Sequence, residues 1–329
     1  MADTGAALQP STSPQPPASP ASPASPASPP HGGLARAERF VRLTPRVLDQ
    51  HLFAHHFRDG GAAPVVRALD AYRNEDGGYG HGLDPGLRGP ASRPPHVAQA
   101  LRVLDAVGRC DGRSAEDVCR YLTSVSTADG ALPAPPPARR GRPDGPAVPA
   151  AGDPQGELLV TGPVVGLLHR NEVWHAWLFR ATDFCWRAVE ALEKPHPCEI
   201  EAAVAFLDHA PDRARARAAA DRLGALLRER RIAPPDPDGP HPYPVAPGHT
   251  PGGHHLPHDY ARTPRSLARA WFTDEEMARS LDLLAAAQQE DGGWPFHGRR
   301  WAPGPALEAR SAATLESLRT LVAYGRTVG

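Results

Sequence analysis

The stretch QQEDGGWPFHG, residues 288–298, joins two segments of the chain that have helical periodicity. Its acids, glycines and tryptophan form a combination that suits a tight turn. Glycine reaches positive φ angles cheaply, and an aspartate beside it accepts hydrogen bonds from the free amides of the turn. We therefore predict that Asp291 and the glycines shape a turn, and that Gln288 and Trp294 tie this turn to neighbouring helices.

Two weaker copies of this stretch occur earlier in the chain. RNEDGGYGHG at 73–82 has Tyr79 in place of the tryptophan, and TSVSTADGALPAP at 123–135 retains only the Asp-Gly pair. Each copy follows an apolar helical segment. Repeated helical hairpins, which each bury one face only by stacking on neighbours, build solenoids or closed α/α rings. The copies therefore predict a succession of stacked helical hairpins.

Apolar residues recur at spacings of three and four along most of the chain, as expected of helices with one buried face. Clear examples are Val65, Leu69 and Tyr72, then Val97, Leu101 and Leu104, then Leu315, Leu318 and Leu321. Alternating strand patterns are nearly absent, so we predict an all-α fold. Further helices are predicted over 36–57, 114–125, 172–192, 198–209, 212–231 and 274–289, with N-caps at Asp212 and at Thr273 or Asp274.

Proline-rich segments divide the chain of 329 residues. Residues 1–33 are rich in Pro, Ala and Ser and offer almost nothing to bury, so we predict a disordered tail. Residues 36–329 are predicted to form a single domain. Two proline-rich loops, at about 133–156 and 234–264, interrupt it and exceed the usual loop length in compact domains.

Charge and cysteine content limit the classes of function. The 36 Lys and Arg nearly balance the 37 Asp and Glu, so no overall field favours nucleic acid. The four cysteines show no CxxC spacing, and we expect reduced thiols. No basic region followed by an apolar run opens the sequence. We expect a cytoplasmic protein, while peripheral membrane contact and the oligomeric state stay open.

The stretch AAAQQEDGGWPF, with Gln288, Gly292 and Trp294, resembles the QW repeat of squalene and hopene cyclases and related repeats of protein prenyltransferase β subunits. Together with GHGLDPGLRGP and TLESLRTLVAYGR, the body of the chain resembles a bacterial group of uncharacterised squalene-cyclase-like proteins. The resemblance implies an (α/α) toroid with a central apolar cavity. The implied partner is an isoprenoid or a similar apolar small molecule.

The chain departs from these families where their chemistry is concentrated. It contains neither the DxDD motif, whose middle aspartate protonates the substrate of class II cyclases, nor the DDxxD motif that binds magnesium and diphosphate. The zinc ligands of prenyltransferase β subunits have no recognisable local arrangement here. Two hypotheses follow: an isoprenoid cyclase or transferase with an unconventional acid, or a non-catalytic ligand-binding or scaffold protein. We expect no metal and no cofactor.

The loop GYGHGLDPGLRGP provides the leading polar cluster. His81 and Asp84 are our candidates for catalytic acid and base, and Arg88 for the group that grips a carboxylate or diphosphate. The alternative is structural. Asp84 would then cap the following turn and His81 would pack against a neighbouring loop, as polar loop residues usually do.

The segment RNEVWHAWLFRATDFCW, residues 170–186, concentrates aromatic side chains on a predicted helix. Aromatic faces stabilise cations and line apolar pockets. We therefore assign Trp174, His175, Trp177 and Asp183 to substrate binding, in a cavity shared with the His81 loop. The alternative is an aromatic seam in the core, which is the commoner use of such stripes.

The loop GHTPGGHHLPHDY crowds five histidine and aspartate side chains between His249 and Asp259. Such groups can bind zinc or another divalent ion. Their spacing, HHxxHD, matches no established metal pattern, and the surrounding composition is biased towards His and Pro. We do not assign a metal site to this loop.

Overall fold

The computed structural model describes residues 1, 32–44, 46–133, 157–233, 255–297 and 302–327. Gly32–Gly329 form one compact unit. The described part of this unit is helical and contains no strand, which confirms the predicted all-α class. Residues 2–31 of the predicted tail and most of both proline-rich loops lie outside the described residues, and Gly33, predicted to be in the tail, begins α1.

Twelve α-helices and one 3₁₀ helix occur in the described ranges. They are α1 (Gly33–Leu43), α2 (Val47–Phe57), α3 (Ala62–Asp70), α4 (Pro94–Ala106), α5 (Gly112–Val125), α6 (Leu158–Arg170), α7 (Ala176–Glu190), α8 (Pro197–Leu207), α9 (Arg213–Glu229), α10 (Pro257–Tyr260), the 3₁₀ helix (Leu267–Trp271), α11 (Asp274–Ala286) and α12 (Pro303–Ala323).

Two predicted N-caps are confirmed. The Asp212 carboxylate accepts a hydrogen bond from the Arg215 amide, 3.0 Å away, at the start of α9. The Thr273 hydroxyl accepts from the Glu276 amide at 3.1 Å, and the Glu276 carboxylate accepts from the Thr273 amide at 2.8 Å. The two reciprocal bonds form a capping box at the start of α11.

The helix predicted over 36–57 is wrong in one respect, because it is two helices. α1 ends at Leu43 and α2 begins at Val47. Thr44 between them is extended, with φ −83° and ψ 151°. The residue after Thr44 is Pro45, and proline disfavours helical backbone in the residue that precedes it.

Helix α6 runs through Pro163, although Gly162 and Pro163 interrupt the apolar character of its sequence. Its glycines permit unusually close packing on α8. A Cβ atom at Gly162 would lie 2.7 Å from the Ala202 carbonyl oxygen, and one at Gly166 would lie 2.1 Å from that of Ala205. The two helices therefore touch backbone to backbone.

The three Asp-Gly turns share one backbone geometry. In each turn, the amide of the glycine after the aspartate donates to the carbonyl three residues before that glycine. The amide of the residue two positions before the aspartate donates to the carbonyl four residues further along the chain. The glycine after the aspartate has a φ of 85° at Gly77, 87° at Gly130 and 90° at Gly292. The eroded copy around Asp129 is therefore a true member of the repeat.

Each of these glycines packs on the backbone of another helix. A Cβ atom at Gly77 would lie 2.5 Å from an α5 carbonyl oxygen, one at Gly130 2.6 Å from an α7 amide nitrogen, and one at Gly292 2.2 Å from an α1 carbonyl oxygen. The turn after α3 thus packs on α5, the turn after α5 on α7, and the turn after α11 on α1. The last turn returns to the first helix.

The helix contacts follow the same order. α6 packs against α4, α7 and α8, while α12 packs against α1, α2 and α11. A closed ring of hairpins requires such a return of the last helix to the first. The toroid itself remains a prediction from the resemblance.

The predicted tie between the last turn and its neighbours is confirmed. Trp294 is 1% exposed, and its indole nitrogen donates to the Leu284 carbonyl at 2.7 Å. The Gln288 amide nitrogen donates to the Gly33 carbonyl at 2.7 Å, and its oxygen accepts from Arg36 at 2.9 Å. One side chain thereby joins the start of α1 to the end of α11.

Candidate functional site

The His81 loop makes local hydrogen bonds. The His81 ring lies 2.9 Å from the Asn74 side-chain oxygen. The Asp84 carboxylate accepts from the Gly86 amide at 2.7 Å, as a turn cap does. Arg88 pairs with Glu308 at 2.7 Å. These contacts match the structural alternative, in which Asp84 caps a turn and His81 packs against a neighbouring loop.

The aromatic segment divides between core and surface. Trp177 is 1% exposed, whereas Trp174 is 83% exposed. The His175 ring caps the start of α7 by accepting from the Trp177 amide at 3.2 Å, and Asp183 is exposed on the same helix. Trp177 therefore fits the alternative of an aromatic seam in the core.

The expected convergence of the His81 loop and the aromatic helix is not found in either cavity described next. Their linings include neither the three loop residues nor Trp174, His175, Trp177 and Asp183. The physical reason is that α7 turns its apolar face towards the core, against α5, α6 and α8. Sequence periodicity identified the aromatic face but not the element on which it packs.

Two cavities lie beside α11. One, of about 490 Å³, is bounded by α9 and α11 and has Leu227, Trp271 and Phe272 in its walls. The other, of about 430 Å³, lies between α8, residues 255–262, the end of α11 and α12. We call this second space the ionic cavity. Its charged lining residues are Glu201, His255, Asp259, Arg262 and Glu316, and its apolar lining includes Leu283, Leu284, Trp294 and Phe296.

A chain of ionic contacts crosses the ionic cavity. The Arg262 guanidinium contacts Glu201 of α8 on one side and Glu316 of α12 on the other. The His255 Nε2 atom lies 3.6 Å from a Glu201 carboxylate oxygen and 3.7 Å from the Cys198 sulfur. Glu201 therefore serves both cations.

These contacts shift two pKa values in opposite directions. Burial alone would raise the pKa of Glu201, but Arg262 and His255 outweigh it and lower the pKa to about 2. Burial alone would lower the pKa of His255, but Cys198 and Glu201 outweigh it and raise the pKa to about 10. Both groups are therefore charged near neutral pH.

The charged groups of the ionic cavity should make the free energy of unfolding depend on pH in both the acid and the alkaline range. The Glu201 contribution is complete above its ordinary pKa of 4.5 and is lost as pH falls towards about 2. The His255 contribution is complete below 6.5 and is lost as pH rises through about 10. We expect Glu201→Gln to lower the free energy of unfolding most between pH 4.5 and 6.5. Urea denaturation at a series of pH values measures this loss.

The surface pair of Glu190 and Arg215 provides the control. Both side chains are more than two fifths exposed, so Glu190→Gln should change stability little at any pH. A stability difference between Glu201→Gln and the natural chain that stayed constant from acid to alkaline pH would contradict the ionic contacts.

Two exposed arginines have no carboxylate within salt-bridge distance among the described residues. They are Arg102 on α4, which donates a hydrogen bond to the Gln99 oxygen at 3.4 Å, and Arg319 on α12. Both side chains are accessible to water. Yet desolvation by surrounding protein lowers the pKa of each.

Arg262 connects these arginines to the ionic cavity. It lines the cavity, and its charge acts on both Arg102 and Arg319, lowering the pKa of each after the larger effect of burial. Three guanidinium groups from α4, α12 and the segment after α10 thus lie within electrostatic reach of one shared region. Guanidinium groups bind phosphate and carboxylate through paired hydrogen bonds.

Sequence reasoning missed these arginines because no local motif marks them. Arg102 and Arg319 occupy the polar face of amphipathic helices, a position that is usually solvent-facing. Only the packing of the helices brings both residues within electrostatic reach of Arg262. The sequence contains no signal for this arrangement apart from the repeat itself.

The histidine loop is only partly described. His249 and His254 lie outside the described residues, and buried His258 lies 2.6 Å from the Ser280 hydroxyl. Within the described ranges, no group of three or more His, Cys, Asp or Glu side chains is placed to hold a metal ion. None of the helices in those ranges combines the length and apolar character that crossing a membrane requires.

Comparison with known proteins gives a fold relative and no functional name. No family model matches the chain, and no curated protein matches it either. The crystal structure of a protein from Actinoplanes is similar, with a TM-score of 0.51 and 17% sequence identity. The similarity covers 88% of this chain and 89% of that one. At this identity the likeness establishes the fold alone.

Proposed function

We propose that this protein binds a small organic anion, an ester of phosphate or diphosphate with an apolar body, in the space that Arg102, Arg262 and Arg319 share. Isoprenoid diphosphates are the members of this class that the resemblance to terpenoid cyclases and prenyltransferases implies. The observation that carries the proposal is the ionic cavity lined by Arg262, whose charge acts on two further arginines that have no carboxylate within salt-bridge distance in the described ranges.

Guanidinium groups within electrostatic reach of one another repel, and negative groups relieve that repulsion. Arg262 has such partners in Glu201 and Glu316, whereas Arg102 and Arg319 have none within contact distance in the described ranges. An anionic ligand would supply the missing charge.

The adjoining walls suit an apolar body. Leu283, Leu284, Trp294 and Phe296 line the ionic cavity together with its charged groups. A ligand with an anionic head and a hydrocarbon tail would place each part against matching chemistry. This combination supports an isoprenoid diphosphate over a simple inorganic anion.

Binding without catalysis is the form of the proposal that the contacts favour. His81 and Asp84, the expected acid and base, are engaged in local hydrogen bonds. A cyclase or transferase with Asp84 as its acid is the second candidate, because the charge of Asp84 acts on Arg102. Conversion of farnesyl diphosphate by the natural chain but not by Asp84→Asn would favour this second candidate.

Calorimetric titration with farnesyl diphosphate, inorganic diphosphate and farnesol tests the anion site. We expect both diphosphates to bind, the prenyl compound more tightly, and farnesol to bind much more weakly. Arg102→Gln and Arg319→Gln should each weaken diphosphate binding roughly tenfold to a hundredfold, the usual effect of losing a charged hydrogen-bond partner.

Arg88→Gln is the matched control. Arg88 is the arginine that the sequence suggested for this role, but Glu308 engages it, so its loss should leave diphosphate affinity within about twofold, well under the tenfold step that 1.4 kcal/mol represents. Equal affinity for farnesol and farnesyl diphosphate, or weaker binding in Arg88→Gln than in Arg102→Gln, would refute the proposed site.

A further inference from the structure

One cysteine differs from the others in its surroundings. Cys110, Cys119 and Cys185 are buried, whereas Cys198 is partly exposed. Burial raises the pKa of the Cys110 and Cys119 thiols to about 12, and it raises the pKa of Cys185 as well. These three thiols are therefore inert near neutral pH.

Cys198 occupies the first turn of α8. Helix α8 begins at Pro197, and the Cys198 amide donates to the His196 ring at 3.2 Å. The Glu199 carboxylate, the nearest acidic group in this turn, is engaged by the His196 amide at 2.7 Å. The positive end of a helix dipole stabilises negative charge on a sulfur placed there.

A second positive group, the His255 ring, lies beside the same sulfur and does not belong to α8. The His255 Nε2 atom lies 3.7 Å from the Cys198 sulfur, and Glu201, one turn further along α8, lies 3.6 Å from the same nitrogen. Glu201 and Asp259 both favour the protonated imidazole. A cysteine beside a protonated histidine is the arrangement that makes thiols nucleophilic in many enzymes.

The location gives this group access to ligands. His255 and Glu201 line the ionic cavity, so a molecule in that space reaches the imidazole in contact with the sulfur. The thiol, the imidazole and the carboxylate come from two segments that are 57 residues apart in sequence. No local motif announces this cluster.

We propose that Cys198, which lies beside the ionic cavity, is a nucleophilic thiol that forms a covalent bond with carbon electrophiles, with His255 and Glu201 as its positioning residues. In alkylation by iodoacetamide, the thiol releases its proton to solvent beside the protonated His255, the sulfur–carbon bond forms, the carbon–iodine bond breaks, and iodide leaves. The inference does not rest on the proposed anion site.

Labelling of the intact folded protein with iodoacetamide, followed by peptide mass spectrometry, tests the proposal. At about pH 6.5 we expect Cys198 to be modified first, at least about tenfold faster than glutathione, while the three buried cysteines stay unmodified. Cys198→Ser should abolish the labelling. Circular dichroism establishes that each variant is folded.

His255→Gln separates a nucleophilic thiol from one that is merely exposed. This variant should slow Cys198 labelling about tenfold at pH 6.5 and much less at about pH 9.5, where an ordinary thiol is itself largely ionised. His81→Gln, which changes a histidine outside the cluster, should leave the rate unchanged. Labelling no faster than glutathione, or an equal rate in His255→Gln at pH 6.5, overturns the proposal.

Failure of this proposal and failure of the anion site are distinguishable. The labelling rate is measured without diphosphate, and Arg102→Gln leaves Cys198, His255 and Glu201 in place. A reactive Cys198 in a chain that binds no diphosphate would refute only the anion site. Diphosphate binding with an unreactive Cys198 would refute only the nucleophilic thiol.

Discussion

Trp294→Ala will lower the free energy of unfolding by about 3–5 kcal/mol, the usual cost of deleting a large buried aromatic side chain. Trp294 is 1% exposed, and its backbone amide and indole nitrogen donate to the Thr314 hydroxyl and the Leu284 carbonyl. The substitution leaves a cavity between α11 and α12 and removes the second of these bonds. Urea denaturation followed by circular dichroism measures the loss.

Trp174→Ala is the matched control, because it deletes the same side chain from a position that is 83% exposed. We expect a change within about 0.5 kcal/mol there. If the two variants had equal stabilities, Trp294 would not be the clamp that its contacts indicate.

Gly292→Ala will destabilise by about 2–5 kcal/mol, for two additive reasons. The left-handed backbone at Gly292, with φ 90°, raises the free energy of the folded alanine variant by about 1–2 kcal/mol. The new Cβ atom would also lie 2.2 Å from the Arg36 carbonyl oxygen, and relieving such overpacking costs about 1–3 kcal/mol more. The turn must move away from α1.

Gly325→Ala isolates the first reason from the second. Gly325 has a φ of 68°, and a Cβ atom there would meet nothing within 4 Å. It should therefore lose only the backbone cost of about 1–2 kcal/mol. Equal losses in the two variants, by thermal or urea denaturation, would mean that the turn after α11 does not depend on close contact with α1.

The repeat was predictable because its turns depend on local chemistry. An aspartate followed by glycine specifies the same hydrogen bonds wherever it follows a helix, so even the copy at Asp129 was recognisable without an aromatic. N-caps at Asp212 and Thr273 were predictable for the same reason. The break between α1 and α2 was missed because the helical spacing of apolar residues continues across Pro45.

The candidate site was far less predictable because it is assembled from distant segments. The contact of the Asp84 carboxylate with the Gly86 amide fits the structural alternative of a turn cap. By contrast, Arg102, Arg319 and Cys198 lie on different helices and have ordinary sequence contexts. The neighbours of these residues depend on how the helices pack against one another. Periodicity within one helix does not determine that packing.

The hydrogen bond between Gln288 and Gly33 bears on how the protein is synthesised. Its two residues are 255 positions apart, so α1 leaves the ribosome long before the turn on which it packs exists. Until then the apolar residues Ala37, Phe40 and Val41 of α1 lack that covering. Contacts of such long sequence separation form slowly, since a long loop must close first. The nascent chain therefore carries an incompletely covered apolar helix until the turn after α11 has been synthesised, which exposes it to chaperones and to aggregation.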